Sequence, residues 1–179
     1  MTNNNIIENP SLDNLFLFAA ETADAKFEKH GRVPSMFWCV GEQEIKSVGA
    51  WNLGTKEQEE RFEKCCRLLC VAEAARATVS MAELWVVLTA PAEGVRPSQH
   101  PQRQECVAIK AELPGLRASC LYSILRDQGG KPKLGIPICP AFVEPISQAD
   151  QSLPLENPSP AERIKATLEL QQLMTVARN

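Results

Sequence analysis

The connection formed by residues 90–104 gathers side chains that bind anions. It carries Arg96, Ser98, His100 and Arg103 in a chain that is otherwise acidic, with 19 basic and 22 acidic residues and a formal charge of −3. Two guanidinium groups, a hydroxyl and an imidazole can converge on a carboxylate or a phosphate. Connections of this length without secondary structure are uncommon and are often functional. These residues make the segment a candidate site for a small anionic ligand, whereas the simpler and favoured interpretation is a solvated loop whose arginines pair with nearby acids.

Glu83 is the second candidate, because it lies in a predicted strand, residues 79–88, whose two faces are both apolar. Alternation along a strand points Glu83 to the same side as Met81 and Trp85. A carboxylate in apolar surroundings must be paired or hydrogen-bonded. We expect its partner to be Arg103 or Arg126. The interpretations left open are an ion pair that fixes the sheet to the loop, a carboxylate of perturbed pKa in a pocket, and a register that exposes it.

The pattern Pro97-Ser98-x-x-Pro101-x-Arg103-x-Glu105, preceded by a strand with Glu83-x-Trp85, resembles a group of small uncharacterised bacterial proteins. The likeness covers roughly residues 60–125. The resemblance implies that this loop and this strand occur together. It implies no activity, substrate or cofactor.

Motifs of nucleophilic or nucleotide chemistry are absent from the sequence. Ser98 and His100 are too close in the chain to form a triad readily, and no G-x-S-x-G elbow, Walker A, G-x-G-x-x-G, H-E-x-x-H or EF-hand pattern occurs. His30 is explained by the dipole of the helix that it ends. Of the tryptophans, only Trp51, beside a predicted turn, is expected to reach solvent.

The cysteines are predicted to be reduced thiols packed in the core. None forms a C-x-x-C pair, and neither His30 nor His100 has ligand spacing to them. Cys66 and Cys70 share one face of a predicted helix with Leu69. We therefore expect no metal and no cofactor, and a metal or redox site is the alternative. The seven cysteines are Cys39, Cys65, Cys66, Cys70, Cys106, Cys120 and Cys139.

Hydrophobic periodicity and capping signals predict three long helices and a series of strands. Ser11 is the expected N-cap of the first helix and Gly31 its left-handed terminator. Thr55 and Gln58 fit a capping box for the second helix. The predicted helices span residues 11–31, 55–77 and 160–177, and the predicted strands span residues 35–40, 44–50, 79–88, 105–112, 116–126 and 134–143.

The order of these elements predicts an α+β fold. We expect an antiparallel sheet of four to six strands, with two helices packed on one face and a tethered C-terminal helix. The predicted organisation is a flexible N-terminus (residues 1–10), a single α+β domain (11–145), a proline-rich linker (146–159) and a C-terminal helix (160–179) that packs on the domain or joins a second subunit.

Three functions remain open, and the residues favour the first. The first is a non-catalytic binding or interaction protein that forms homo-oligomers. The second is an enzyme for a small anionic substrate, with Glu83 as acid or base and Arg96, Arg103 and His100 as anion clamp. The third is nucleic-acid contact through those three basic residues, which the acidic charge and the lack of any run of three basic residues disfavour.

The sequence also predicts where the protein works. No apolar run is long enough to span a bilayer, and the first residues do not resemble a signal peptide. A cytoplasmic location without membrane contact is the resulting expectation.

Overall fold

The computed structural model describes residues 3–51, 53–87, 97–138, 141–147, 153–154 and 157–176. Within these residues the helices are α1 (Asn3–Glu8), α2 (Leu12–His30), α3 (Lys56–Ala72), α4 (Pro160–Val176) and a short 3₁₀ helix (Pro97–Gln99). The strands are β1 (Ser35–Val40), β2 (Ile45–Ala50), β3 (Ala77–Val86), β4 (Gln104–Leu113), β5 (Leu116–Arg126), β6 (Pro132–Pro137) and β7 (Phe142–Pro145).

The strands form one antiparallel sheet in the order β2-β1-β3-β4-β5-β6, with β7 also paired to β5. The α+β class is confirmed, as is the meander from β3 to β6. The described strands number seven rather than four to six, because the last predicted strand is divided after Pro137. Its two parts, β6 and β7, pair with successive stretches of the same side of β5. Both are edge strands, and edge strands are the positions where a sheet tolerates proline.

Helix α2 covers one face of the sheet. Ser11 accepts a hydrogen bond from the Asn14 amide at 3.3 Å, and Gly31 ends the helix with φ +69°. The apolar stripe that the sequence predicts is buried against alternate residues of the central strands. This first core cluster includes Leu15, Ala19, Ala23, Phe27, Trp38, Val40, Val79, Met81, Val107 and Ile109.

Helix α3 lies on the opposite face, which differs from the expectation that both helices share one face. Successive side chains of a strand point to opposite sides, and along β1 Trp38 and Val40 join the α2 cluster while Phe37 and Cys39 join the α3 cluster. Because both sides of β1 are apolar, both must be covered. The predicted cysteine face, with Cys66, Leu69 and Cys70, supplies the second cover and is buried there.

The two ends of the described chain are packed onto the domain. The N-terminal residues, expected to be flexible, include helix α1, and its Ile6 is only 1% exposed. The Arg76 side chain donates to the Ile7 carbonyl, so that this segment is tied to the domain. At the other end, the Arg163 guanidinium donates to the Ala72 carbonyl at 3.0 Å, and Leu170 of α4 is buried in the α3 cluster. Helix α4 therefore packs against α3 of its own chain.

Candidate functional site

An open groove of about 500 Å³ lies at the corner of the sheet where β1 and β3 separate. Strand β3 pairs with β1 only from Ala77 to Met81, whereas it pairs with β4 as far as Val86. The first residues of β1 continue instead with β2, since Ser35 pairs with Ala50. The groove is lined by residues from three parts of the chain: Arg32, Val33 and Ser35 from the start of β1 and the residues before it; Trp51, Leu53 and Gly54 from the connection after β2; and Glu83, Leu84, Trp85 and Glu105 from β3 and β4.

The Glu83 carboxylate lies across this corner. Its Oε2 accepts a hydrogen bond from the Val33 amide at 3.0 Å. In the register of β1 and β3, the residue opposite Glu83 would be Pro34, which has no amide hydrogen. The carboxylate therefore provides an acceptor for the neighbouring amide at the point where the main-chain ladder stops. Its Oε1 forms no hydrogen bond or ion pair within the part of the chain that the structure describes.

The expected ion pairs of Glu83 with Arg103 or Arg126 are not formed. Arg126 instead donates to Glu105 at 2.7 Å, and the Arg103 guanidinium lies over the Trp85 ring at 4.9 Å from its centroid. The hydrogen bond and charge of Glu105 raise the pKa of Arg126. Glu83 does have a partner, as its apolar surroundings require, but this partner is a backbone amide rather than a long basic side chain.

Trp85 is one of two tryptophans at the groove that are partly exposed, with 39% of its surface accessible. The sequence predicted a core position for it. Its place near the end of β3, beyond the last residue paired with β1, leaves its ring uncovered by α2. The Arg103 stack on this ring is a cation–π contact.

Trp51 is the second, with 45% of its surface accessible, as its position beside a turn predicted. The Arg32 guanidinium lies 5.1 Å from the ring centroid, and the His30 ring meets it edge-on at 4.9 Å between centroids. Both partners come from the end of α2, because Gly31 turns the chain there. The groove is thus bordered by two tryptophan–arginine stacks that come from separate parts of the chain.

The structure brings only part of the predicted anion site to this groove. Ser98 is exposed in the 3₁₀ helix, which packs against β3. His100 closes a turn, since its Nδ1 accepts from the Gln102 amide at 3.1 Å and its carbonyl accepts from the Arg103 amide at 3.1 Å. Neither Ser98 nor His100 lines the groove, while Arg103 borders it through Trp85. Arg96 lies outside the described residues.

The sequence did not indicate several residues of the groove, among them Arg32, Val33 and, as members of a site, Trp51 and Glu105. Glu105 had a usable signal, because the hairpin of β4 and β5 places it on the same face as Arg126. Arg32 and Trp51 had none beyond their positions after a helix terminator and a strand end. Their approach to Glu83 depends on contacts between segments far apart in the chain.

The groove offers side chains that can bind a ligand through hydrogen bonds, apolar contact and charge. Glu83 provides one free carboxylate oxygen for a donor, the tryptophan rings provide flat apolar surface, and the stacked guanidinium groups provide donors for an anion. Among the described residues there is no group of three or more His, Cys, Asp or Glu side chains arranged to hold a metal ion.

Comparisons of the chain with protein families, with curated proteins and with solved structures find no match. In the described part of the chain, no helix has the length and apolar character needed to cross a membrane.

Proposed function

We propose that this protein is a non-catalytic binding protein, homo-oligomeric and cytoplasmic in a bacterial cell, whose ligand or partner occupies the groove between Trp51 and Trp85. The observation that carries this proposal is the pair of partly exposed tryptophans, each stacked with a guanidinium group, that line the same groove as the Glu83 carboxylate. Aromatic and arginine side chains around a concave site are typical anchors of binding energy. The groove volume, about 500 Å³, is in the usual range for such sites.

The arrangement suits binding because its polar groups are already held in place. Glu83 is oriented by the Val33 amide, Glu105 by Arg126, and Arg103 by the Trp85 ring. Groups fixed in this way contribute to affinity, since little side-chain entropy is lost when a ligand arrives. The anion clamp of the enzyme hypothesis requires Arg96 and His100 to reach the same groove, and that hypothesis stays a prediction.

Homo-oligomer formation is supported by apolar side chains that remain exposed. Ile164 and Leu168 project from the side of α4 that does not face α3, and Phe142 and Val143 are exposed on β7. Exposed large apolar side chains that lie close together are typical of interaction surfaces.

A fragment titration tests the binding proposal, since Trp38 is buried and the other two tryptophans border the groove. The probes are benzamidine and indole-3-acetate, which are planar, and cyclohexylamine, which is not. We expect the planar probes to quench tryptophan fluorescence and raise the melting temperature, and to be recovered unchanged by mass spectrometry. Trp85→Ala should lose the effect, and Leu17→Ala, at an exposed apolar position of α2 outside the groove, should keep it.

Three outcomes would overturn this proposal. The first is binding of the planar probes to Trp85→Ala as strongly as to the wild type, and the second is no binding of these probes at all. The third is conversion of a bound compound to a product that Glu83→Gln abolishes, which would establish the enzyme instead.

A further inference from the structure

The end of β3 is a strand edge in the middle of the sheet. Ala82–Val86 pair with β4 on one side, and no strand within the described ranges pairs with them on the other. No main-chain hydrogen bond from a described loop or cap reaches them either. In an antiparallel strand every second residue directs both its amide and its carbonyl to the same side, so this stretch presents donors and acceptors to the groove. Unpaired strand edges of this kind are templates for an additional strand.

The Val33–Glu83 hydrogen bond marks the inner end of this unpaired strand edge. From Glu83 outward, Leu84 and Trp85 line the groove, and the unpaired edge continues to Val86. The carboxylate at the inner end is an inward-pointing charge, a device that discourages pairing with uncharged strands. Its free oxygen selects for a strand that brings a positive charge to this point.

We propose that the groove binds an extended peptide of a partner protein, which adds as a strand along Leu84–Val86 and places a cationic group against Glu83. This inference rests on the proposed binding function of the groove. Main-chain hydrogen bonds to β3 supply affinity, and alternate side chains of the peptide supply specificity. The cation is a lysine or arginine side chain, or the amino group of a peptide N-terminus, since all three meet a carboxylate in the same way.

The tryptophans fit this occupant. Glu83 and Trp85 lie two residues apart on the same face of β3, so that a peptide residue two positions from the cation faces Trp85 and the Arg103 guanidinium. An aromatic or acidic residue suits that position. Trp51 and Arg32, which line the same groove from other segments of the chain, are available to contact the peptide as well.

The test uses the full-length chain and two positional-scanning hexapeptide libraries labelled with fluorescein, one acetylated at the N-terminus and one with free amines. We expect peptides with lysine or arginine at one defined position to bind in fluorescence polarisation. If only the free-amine library binds, the cation is a chain terminus. Glu83→Gln should weaken the best peptide about tenfold, whereas Leu17→Ala, at an exposed position of α2 outside the groove, should leave its affinity unchanged.

Strand addition can be distinguished from binding through side chains alone, because it requires main-chain hydrogen bonds at alternate residues of the peptide. N-methylation of alternate peptide amides should abolish binding, and methylation of the intervening amides should have little effect. On ¹⁵N-labelled protein, the bound peptide should slow amide hydrogen exchange within Leu84–Val86. Equal effects of methylation at every position, or no protection of these amides, would overturn the inference.

The failure of this inference is distinguishable from that of the proposed function. If planar fragments bind and no peptide library does, the groove is a small-molecule site and only the inference fails. If the chain associates with itself and Glu83→Gln removes that association, the added strand belongs to a second copy and the inference of a separate partner is wrong. If neither fragments nor peptides bind, both proposals fail together.

Discussion

Glu83 shows how a single side chain can complete a sheet where its ladder stops. Its carboxylate accepts from Val33, a residue 50 positions earlier in the chain. An amide hydrogen bonded to a charged acceptor contributes more than one bonded to a neutral acceptor. The residue therefore serves both the corner of the sheet and the groove that opens beside it.

Replacing Glu83 tests this structural part of its role. Glu83→Ala leaves the Val33 amide without its acceptor and should lower the free energy of unfolding by about 1–3 kcal/mol, while Glu83→Gln keeps an oxygen acceptor and should lose about 1 kcal/mol. Urea denaturation at neutral pH measures both. Glu105→Gln, which breaks a partly exposed ion pair, is the control and should change stability by less than about 1 kcal/mol. A Glu83→Ala protein as stable as this control would contradict the assignment.

The buried thiols of α3 are the second feature at this scale. Burial raises the pKa of Cys66 to about 12, and contact with the Cys39 thiol, together with burial, raises the pKa of Cys70. A thiol in this environment stays protonated in the folded state. These side chains behave as small apolar groups, as the sequence predicted.

The raised pKa makes stability fall at alkaline pH. An unfolded cysteine ionises at about pH 8.5, whereas folded Cys66 keeps its proton until about pH 12. The stabilising difference is present below the unfolded pKa and is lost as pH rises toward the folded pKa, by up to about 1.4 kcal/mol per pH unit for each such thiol. Denaturation curves across this range should show a shallower fall for Cys66→Ala than for the wild type. Identical slopes would show that this thiol is not shielded.

At the scale of elements, neighbouring residues in the sequence determine where helices begin and end and which side chains of a strand alternate between its two faces. The capping box of Thr55 and Gln58 forms as predicted, with the Gln58 amide donating to the Thr55 hydroxyl at 3.3 Å and the Gln58 side chain accepting from the Thr55 amide at 3.2 Å. Ser159 and Glu162 form the corresponding bonds at α4. Such signals were sufficient because each depends on residues within one turn of helix.

Pairing between strands also creates a buried cluster of charged side chains that no local sequence pattern predicted. Glu112 of β4 is 1% exposed and lies 3.0 Å from the Lys110 ammonium and 2.9 Å from the Arg117 guanidinium of β5. Arg117 also lies 3.9 Å from Glu144 of β7. The cluster therefore connects three strands on the face of the sheet opposite α2.

Removing the central carboxylate should cost much more than removing the peripheral one. Glu112→Ala leaves two cations without their buried partner, and because both retain some exposure we expect a loss of roughly 2–4 kcal/mol in unfolding free energy. Glu144→Ala, the matched control, should lose less than about 1 kcal/mol. Chemical denaturation measures the unfolding free energy of both variants. Similar losses in the two would mean that burial does not make the ion pairs of Glu112 more important to stability than those of Glu144.

At the scale of the whole molecule, α4 has one face in the core and one outside it. Ala166 and Leu170 are buried, whereas Ile164 and Leu168 are more than half exposed. A helix with apolar residues on two sides is typical of a surface that meets another element. The homo-oligomer that we propose would use this outer side.

Charge on that outer side should separate the subunits. We expect the wild type to be dimeric by light scattering and the double variant Ile164→Glu, Leu168→Glu to be monomeric, with unchanged circular dichroism, because carboxylates cannot be buried at an apolar contact without a large penalty. Leu17→Glu, an exposed apolar position on α2, is the control and should remain dimeric. A monomeric wild type would contradict the oligomer itself, and a dimeric double variant would exclude α4 from the interface.

The sequence by itself determined the three long helices, most of the strands, the antiparallel pairing of successive strands and the apolar nature of the cysteine face, because these follow from periods and capping patterns within short stretches. It also identified Glu83 as a carboxylate that needs a partner. It did not indicate helix α1, the 3₁₀ helix or the pairing of β1 with β3. Only the tertiary structure decided that α2 and α3 lie on opposite faces, that β1 and β3 separate after Met81, and that a backbone amide rather than an arginine meets Glu83. These depend on how distant segments approach one another, and the groove exists because two strands of different length and pairing diverge, a property that belongs to no single segment.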